Sequence, residues 1–154
     1  MQTQNINVVF NGQPMIGFTF QGLPLAAAKL VACQQIDQAA DAARVSVLGD
    51  ASRALEYQVT AQEADAFAQA GYVGDVPPTV QAWMDAAGLD AQAATDSILV
   101  EAAACKDALY KIRAARLKGK QGVLKANAHQ PAEALADEAI AAIQSSAQGV
   151  GNAA

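Results

Sequence analysis

The chain has 154 residues, enough for one domain with a buried core, and carries a net charge of −5. Hydrophobic residues make up 53% of it but aromatic residues only 5%, which predicts a core of closely approaching helices rather than one filled by large side chains. Phosphate backbones repel an acidic chain unless its basic residues are segregated, and no apolar run approaches the ~20 residues of a membrane-spanning helix, which argues against nucleic acid and membranes as partners.

The first predicted element is a β-hairpin over residues 1–22. Apolar and polar residues alternate in NINVVF and again in MIGFTF, which is the period of a strand with one apolar face. A hairpin alone is marginal in water, so something must cover that face. The face would consist of Ile6, Val8, Phe10, Ile16, Phe18 and Phe20.

The register of this hairpin depends on its turn. Asn11-Gly12 is typical of a two-residue turn, but such a turn pairs Phe10 with Gln13 and puts the later phenylalanines on the opposite face. We therefore expect a five-residue loop over 11–15, which keeps its proline out of the hydrogen-bond ladder. This loop places Phe10 opposite Ile16, and Val8 opposite Phe18.

Two helices are predicted next. The first begins at Pro24 and ends at Gly49, with apolar residues at every third or fourth position. Asp50 can cap a second helix that stops at Gly71. Residues 55–59 also alternate like a strand, followed by the capping-box sequence TAQE, but we expect one continuous helix. The buried stripe of the first helix would be Ala26, Leu30, Cys33, Ile36, Ala40, Ala43 and Val47.

Three further helices follow the break GYVGDVPP. A short helix containing Trp83 closes at Gly88, and we expect this tryptophan to be an internal peg rather than a partner anchor. Asp90 then caps a helix of roughly 28 residues, about 40 Å long, which Gly119 and Gly122 should weaken beyond that point. After a second break at NAHQP, the segment AEALADEAIAAIQSS is the last helix, before a flexible GVGNAA tail.

No group of side chains has the pattern of a catalytic, metal or cofactor site. The single histidine, His129, lies in a predicted linker and is interpreted as an ordinary exposed residue, because metal and nucleophile sites need several convergent groups. Cys33 and Cys105 match no metal-binding spacing and are interpreted as buried thiols of a reducing compartment. The N-terminus lacks the pattern of a signal peptide. We therefore expect neither enzyme activity nor a cofactor.

Seven of the ten Lys and Arg residues lie within residues 106–125. Successive helical positions turn by ~100°, so these cations surround most of the helix rather than forming one nucleic-acid-binding stripe. Basic side chains also suit the C-terminal end of a helix dipole. The segment is best explained as a solvated helix end, and docking onto an acidic neighbouring subunit is compatible with that interpretation.

Two sets of residues are candidates for contact with other chains. The hairpin face is one, because narrow alanine-rich helices offer little bulk to cover it. The other is an apolar stripe of the long helix, which would form a helix–helix seam within the subunit or around a symmetry axis. The candidate partner-binding residues are Val8, Phe10, Ile16, Phe18, Phe20, Ile98, Leu109 and Ile112.

Residues 50–125, about half of the chain, resemble a set of small phage and prophage tail proteins. The resemblance is carried by EADAF, AGY, VPPTVQAW and IRAARLKGK, which are structural motifs without a catalytic residue. Cys105 and Lys106 stand where a bulkier apolar residue is expected, and the hairpin lies outside the similar region. The resemblance implies a part of a virion tail that assembles with other tail and fibre chains.

The sequence therefore predicts a mainly α protein with an N-terminal β-hairpin and a helical bundle containing one long helix. Its divisions would be a docking hairpin (1–22), a helical domain (23–126), and a C-terminal helix with a flexible tail (127–154). The expected function is a structural component of a phage tail, near the baseplate or tail fibres, assembled in the bacterial cytoplasm and homo-oligomeric in the virion. The alternatives are a non-virion tail-fibre chaperone and a small regulatory nucleic-acid-binding protein.

Overall fold

The structure is a computed structural model that describes residues 1–150. Two strands come first, β1 (Ile6–Phe10) and β2 (Gln13–Phe18), followed by a 3-10 turn at Phe20–Gly22. The helices of the described chain are α1 (Leu25–Leu48), α2 (Ala51–Gln69), α3 (Pro78–Ala87), α4 (Ala91–Lys125) and α5 (His129–Ser146). The prediction of a mainly helical protein with an N-terminal hairpin and one long helix is confirmed.

The chain divides into two compact units that do not follow the order of the sequence. The first unit combines residues 1–44 with 110–148, and so contains the hairpin, most of α1, the second part of α4, and α5. The second unit contains residues 45–109, with α2, α3 and the first part of α4, and also 149–150. Hairpin and last helix, which the sequence analysis placed in separate segments, thus belong to the same unit. The predicted flexible tail lies largely outside the described residues.

The hairpin has the two-residue turn that the sequence analysis rejected. Phe10 pairs with Gln13 across Asn11 and Gly12, which both have a left-handed backbone, with φ of 50° and 75°. A tight turn that matches the twist of its strands requires this conformation at both positions. The predicted five-residue loop is therefore wrong, and Pro14 lies within β2, where an edge strand tolerates its missing N–H.

A β-bulge explains how the tight turn is compatible with a buried face. Two residues of β2 stand opposite Asn7, and one of them, Gly17, has a φ of 74° and donates its amide to Oδ1 of Asn7, 2.9 Å away. The extra residue interrupts the alternation of side chains in β2, so that Met15 and Phe18, three residues apart, lie on the same face. The observed pairs are Val8 with Met15 and Ile6 with Phe18.

In the first unit, α4 packs closely against α1 and α5. Gly119 is buried at the crossing, where a β-carbon would lie 2.3 Å from Cβ of Ala139 and 3.4 Å from Cδ1 of Ile36. The absent side chain therefore permits the close approach of three helices. The expectation that Gly119 and Gly122 weaken the long helix is wrong, because α4 continues to Lys125 with this packing in place.

The predicted stripe of α1 is correct except in its first two turns. Ala26 and Leu30 are exposed, whereas Val31 is buried together with the two alanines that follow Ala26. Adjacent helical residues point about 100° apart, so the core-facing side is displaced by one residue here. From Cys33 onward the predicted residues are buried as expected: Cys33, Ile36, Ala40, Ala43 and Val47.

In the second unit, α2 is one continuous helix, as predicted, and the strand alternative is wrong. Its N-cap is Asp50, whose carboxylate accepts hydrogen bonds from the amides of Arg53 and Ser52, both at 2.9 Å. These bonds lower the pKa of Asp50. Glu63, which the alternative assigned to a capping box, instead accepts a 2.6 Å hydrogen bond from Oγ1 of Thr79 and so connects α2 with α3.

The core of the second unit is small and built around short side chains. Ala64 of α2, Val80 of α3 and Ala94 of α4 are completely buried. Trp83 packs beside them, and its indole Nε1 donates to Oγ of Ser97 at 2.8 Å, which connects α3 with α4 as an internal peg. The other side chains around this cluster are Val76, Met84, Leu89, Ile98 and Leu99.

His129 is a structural residue, and its interpretation as an ordinary exposed side chain is wrong. It is the first residue of α5, and its Nε2 lies 2.8 Å from the carbonyl oxygen of Leu23. Its ring also meets that of Phe20 edge to face, with 5.9 Å between the ring centroids. The histidine thus fastens the end of the hairpin segment to the start of α5.

Candidate functional site

The hairpin presents apolar side chains to solvent on its outer side. Ile6 and Val8 of β1 point inward and are buried, so Asn7 and Val9, which alternate with them, point outward. We call Val9, Pro14 and Ile16 the outer hairpin face; Ile16 is 73% exposed and Val9 64%. Lone exposed apolar residues are common, but three together on a two-stranded ribbon form a surface suited to contact with another chain.

The structure separates the predicted docking residues of the hairpin into two groups. Val8 and Phe20 are buried within the chain itself, and Phe10 is half-buried, so they support the fold. Ile16 and Phe18 are exposed. The sequence analysis missed Val9 because it took the face of Ile6 and Val8, which is buried within the chain, as the docking face. It placed Ile16 on that same face because it assumed strict alternation in β2, where the bulge at Gly17 puts Ile16 on the outer side instead. Gly17 beside alternating apolar residues was the available signal for such a bulge.

The predicted seam of the long helix lies inside the protein. Ile112 is completely buried in the first unit, and Ile98 packs on the core of the second. Leu109 is half-buried. Ile112 and Ile98 thus have neighbours in their own chain, which is the within-subunit alternative of the predicted seam.

A second apolar stripe on α4 points to solvent instead. Tyr110, Leu117 and Leu124 recur every seven residues and are 61%, 43% and 53% exposed. Ile112, two positions after Tyr110, points about 200° away and is buried, so the two stripes occupy opposite sides of the helix. We call the exposed set, with its cationic flanks, the basic stripe; it consists of Tyr110, Ala114, Leu117, Gln121 and Leu124, flanked by Lys111, Arg113, Lys118 and Lys125.

Two other cations of this segment are used inside the fold. Nη1 of Arg116 lies 2.9 Å from Oδ1 of Asp37 in α1, and Lys120 binds the other carboxylate oxygen. Burial opposes the ionised carboxylate, but the hydrogen bonds and positive charges of Lys120 and Arg116 outweigh it and lower the pKa of Asp37. The sequence analysis explained the cations of residues 106–125 as a solvated helix end. Two of them, Arg116 and Lys120, instead form ion pairs with Asp37 that connect α4 with α1.

Replacing Asp37 with asparagine should destabilise the protein by about 1 kcal/mol at neutral pH, a small value because the carboxylate is one-third exposed. Because folding lowers this pKa, the contribution is present above the unfolded value of about 4 and is lost as the pH falls through the folded value. Urea unfolding at a series of pH values should show the variant approaching the wild type in acid. The control is Asp41→Asn, because Asp41 is exposed and pairs with Arg44 at the surface. A constant difference between Asp37→Asn and the wild type down to pH 2 would contradict the ion-pair origin.

A groove of about 720 Å³ in the second unit is lined by α2, α3, α4 and the last residue of α1. We call it the acidic groove because its charged lining residues are Glu56, Asp96 and Glu101. Its walls are otherwise mainly apolar, and the volume is that of a typical binding cleft. The apolar and aromatic lining residues include Leu48, Tyr57, Trp83, Ile98 and Val100.

The thiol of the groove is not activated. Cys105 lines it, but burial and the negative charge of Glu101 raise the pKa of the thiol, so it stays protonated at neutral pH. Asp96 accepts a 2.7 Å hydrogen bond from the hydroxyl of Tyr72, which raises the pKa of that tyrosine. The sequence analysis did not predict the groove, since it joins residues from four helices; a signal was the excess of acids in the middle of the chain.

Within residues 1–150, no three His, Cys, Asp or Glu residues are grouped so as to hold a metal ion. None of the described helices is both long and apolar enough to span a membrane. The chain matches no protein-family model, no curated protein and no solved structure. The outer hairpin face, the basic stripe and the acidic groove are therefore the features from which a function can be argued.

Proposed function

We propose that the protein is a non-enzymatic structural component of a phage tail, near the baseplate or tail fibres, that mediates contacts between subunits. The observation that carries this proposal is the outer hairpin face, whose apolar side chains have no covering element in the described chain. Contact with another tail chain would remove that surface from water, which is favourable by roughly 25 cal/mol per Å² of apolar area. The phage-tail context comes from the resemblance of residues 50–125.

The pairing of two cations with Asp37 favours this proposal over nucleic-acid binding. Arg116 and Lys120 are both held by Asp37, with side chains that are only about a quarter exposed. Each internal pair removes a cation that could otherwise neutralise a phosphate. Retention on DNA that falls steeply with salt concentration would contradict this argument.

Mass spectrometry of purified phage particles tests the proposed function directly. A tail component is expected at a fixed stoichiometry to the other tail proteins. Absence from particles, with presence in the lysate bound to a fibre protein, would instead support the assembly chaperone.

The double substitution Val9→Asp, Ile16→Asp, on the outer hairpin face, should prevent incorporation into tails while the protein remains folded. Both side chains are exposed, so their replacement costs little in the isolated chain, but two buried carboxylates in an interface are strongly unfavourable. Folding is checked by circular dichroism and incorporation by quantitative mass spectrometry of particles.

Its matched control is Gln4→Asp, Gln13→Asp, which adds the same charge to exposed polar positions of the same segment. The control should be incorporated normally. Equal incorporation of both double variants would overturn the role of the hairpin as a docking surface.

A further inference from the structure

The two units of the chain carry opposite net charges. The first unit has eight Lys and Arg residues against five Asp and Glu residues, a net charge of +3. The second has two against ten, a net charge of −8, and together these give the −5 of the whole chain. Opposite fields on separate parts of one chain favour an arrangement in which unlike parts of neighbouring copies meet.

Each unit carries one partly apolar surface whose charged residues have the sign of that unit's net charge. The basic stripe lies on the first unit and has apolar side chains of helical spacing between cationic flanks. The acidic groove lies on the second unit and has mainly apolar walls with carboxylates as its charged residues. A helix edge placed in a groove buries residues at positions i and i+7, which is the spacing of Leu117 and Leu124.

We propose that the basic stripe of one copy docks in the acidic groove of a second copy. The contact is head to tail, because the two surfaces differ, and its repetition produces a closed ring or an open filament. Pairing of two basic stripes with each other is disfavoured, since it would place Lys111, Arg113 and their equivalents against like charges. This inference rests on the proposed role in subunit assembly and specifies which surfaces join copies of the same chain.

Two charge-reversal variants test the contact. The first, Glu56→Lys with Glu101→Lys, makes the groove basic; the second, Arg113→Glu with Lys118→Glu, makes the stripe acidic. Sedimentation velocity at ~0.1 M salt should show self-association of the wild type, weakened at least about tenfold in each variant. An equimolar mixture of the two variants should recover association, because each altered surface then meets its complement. At ~1 M salt, where the screening length falls from ~10 Å to ~3 Å, the wild type should dissociate.

The matched control is Asp65→Lys with Asp75→Lys, which changes the net charge as the groove variant does but at exposed positions outside the groove. It should associate like the wild type, and circular dichroism should show every variant folded. A monomeric wild type, a groove variant that associates normally, or a mixture that does not recover would each overturn the proposal. None of these results changes the incorporation test of the hairpin variant, so failure of this contact can be distinguished from failure of the proposed function.

Discussion

Replacing Phe20 with alanine should lower the free energy of unfolding by about 3–5 kcal/mol, a large part of the stability of a small protein. The side chain is completely buried, and its ring packs edge to face with His129. Its amide also donates to the carbonyl of Thr3 at 2.8 Å, so the cavity would open where the N-terminal segment meets α5. Thermal unfolding followed by circular dichroism should show a melting temperature lower by roughly 6–20 °C.

Phe18→Ala is the matched control for this substitution, since it removes the same ring from an exposed position two residues earlier. Because Phe18 is 37% exposed and pairs with the buried Ile6, we expect a smaller loss than for Phe20, about 1–2 kcal/mol. Equal losses in the two variants would show that Phe20 is not the residue that holds the hairpin segment in place. The comparison also separates two phenylalanines that the sequence pattern treated as equivalent.

Gly119→Ala should destabilise the protein by about 1–3 kcal/mol, although alanine is ordinarily the better helix former by about 1 kcal/mol. The new β-carbon would overlap Cβ of Ala139, at 2.3 Å, and neither backbone can withdraw without separating α4 from α5. Urea unfolding measures the effect. Gly122→Ala is the control, because its β-carbon would make ordinary contacts of 3.4 Å with the flexible side chain of Leu135, and it should stabilise by about 0.5–1 kcal/mol.

A second substitution isolates the steric cause. Ala139→Gly removes the atom that the new β-carbon of Gly119→Ala would overlap, so the double variant should recover most of the lost stability. Additive losses in the double variant would mean that crowding between these two helices is not the reason for the glycine.

Much of the fold could be predicted because its signals are local. Asp50 and Asp90 cap the helices that they were expected to cap, and Gly49 and Gly88 end α1 and α3 with positive φ. Capping bonds and left-handed glycines depend on residues within a few positions of one another, so the sequence predicts them without knowledge of the tertiary structure. The apolar periodicity of α1 from Cys33 onward is equally local.

The site required information from distant residues. Whether the hairpin turn is two or five residues long depended on a bulge at Gly17, and whether Ile112 was a seam or a core residue depended on the neighbours of α4. The pairing of Arg116 with Asp37 joins residues 79 positions apart, which no spacing rule connects. The acidic groove likewise exists only because four helices bring their side chains together.

The sequence by itself therefore determined the helices, their caps and most of their ends, because hydrogen bonds between near neighbours and the helical period govern these features. Only the tertiary structure decided which apolar side chains are used inside the chain and which remain exposed, such as Phe20 against Ile16. Burial is a property of the neighbours that folding brings to a residue, and those neighbours lie far away in the sequence.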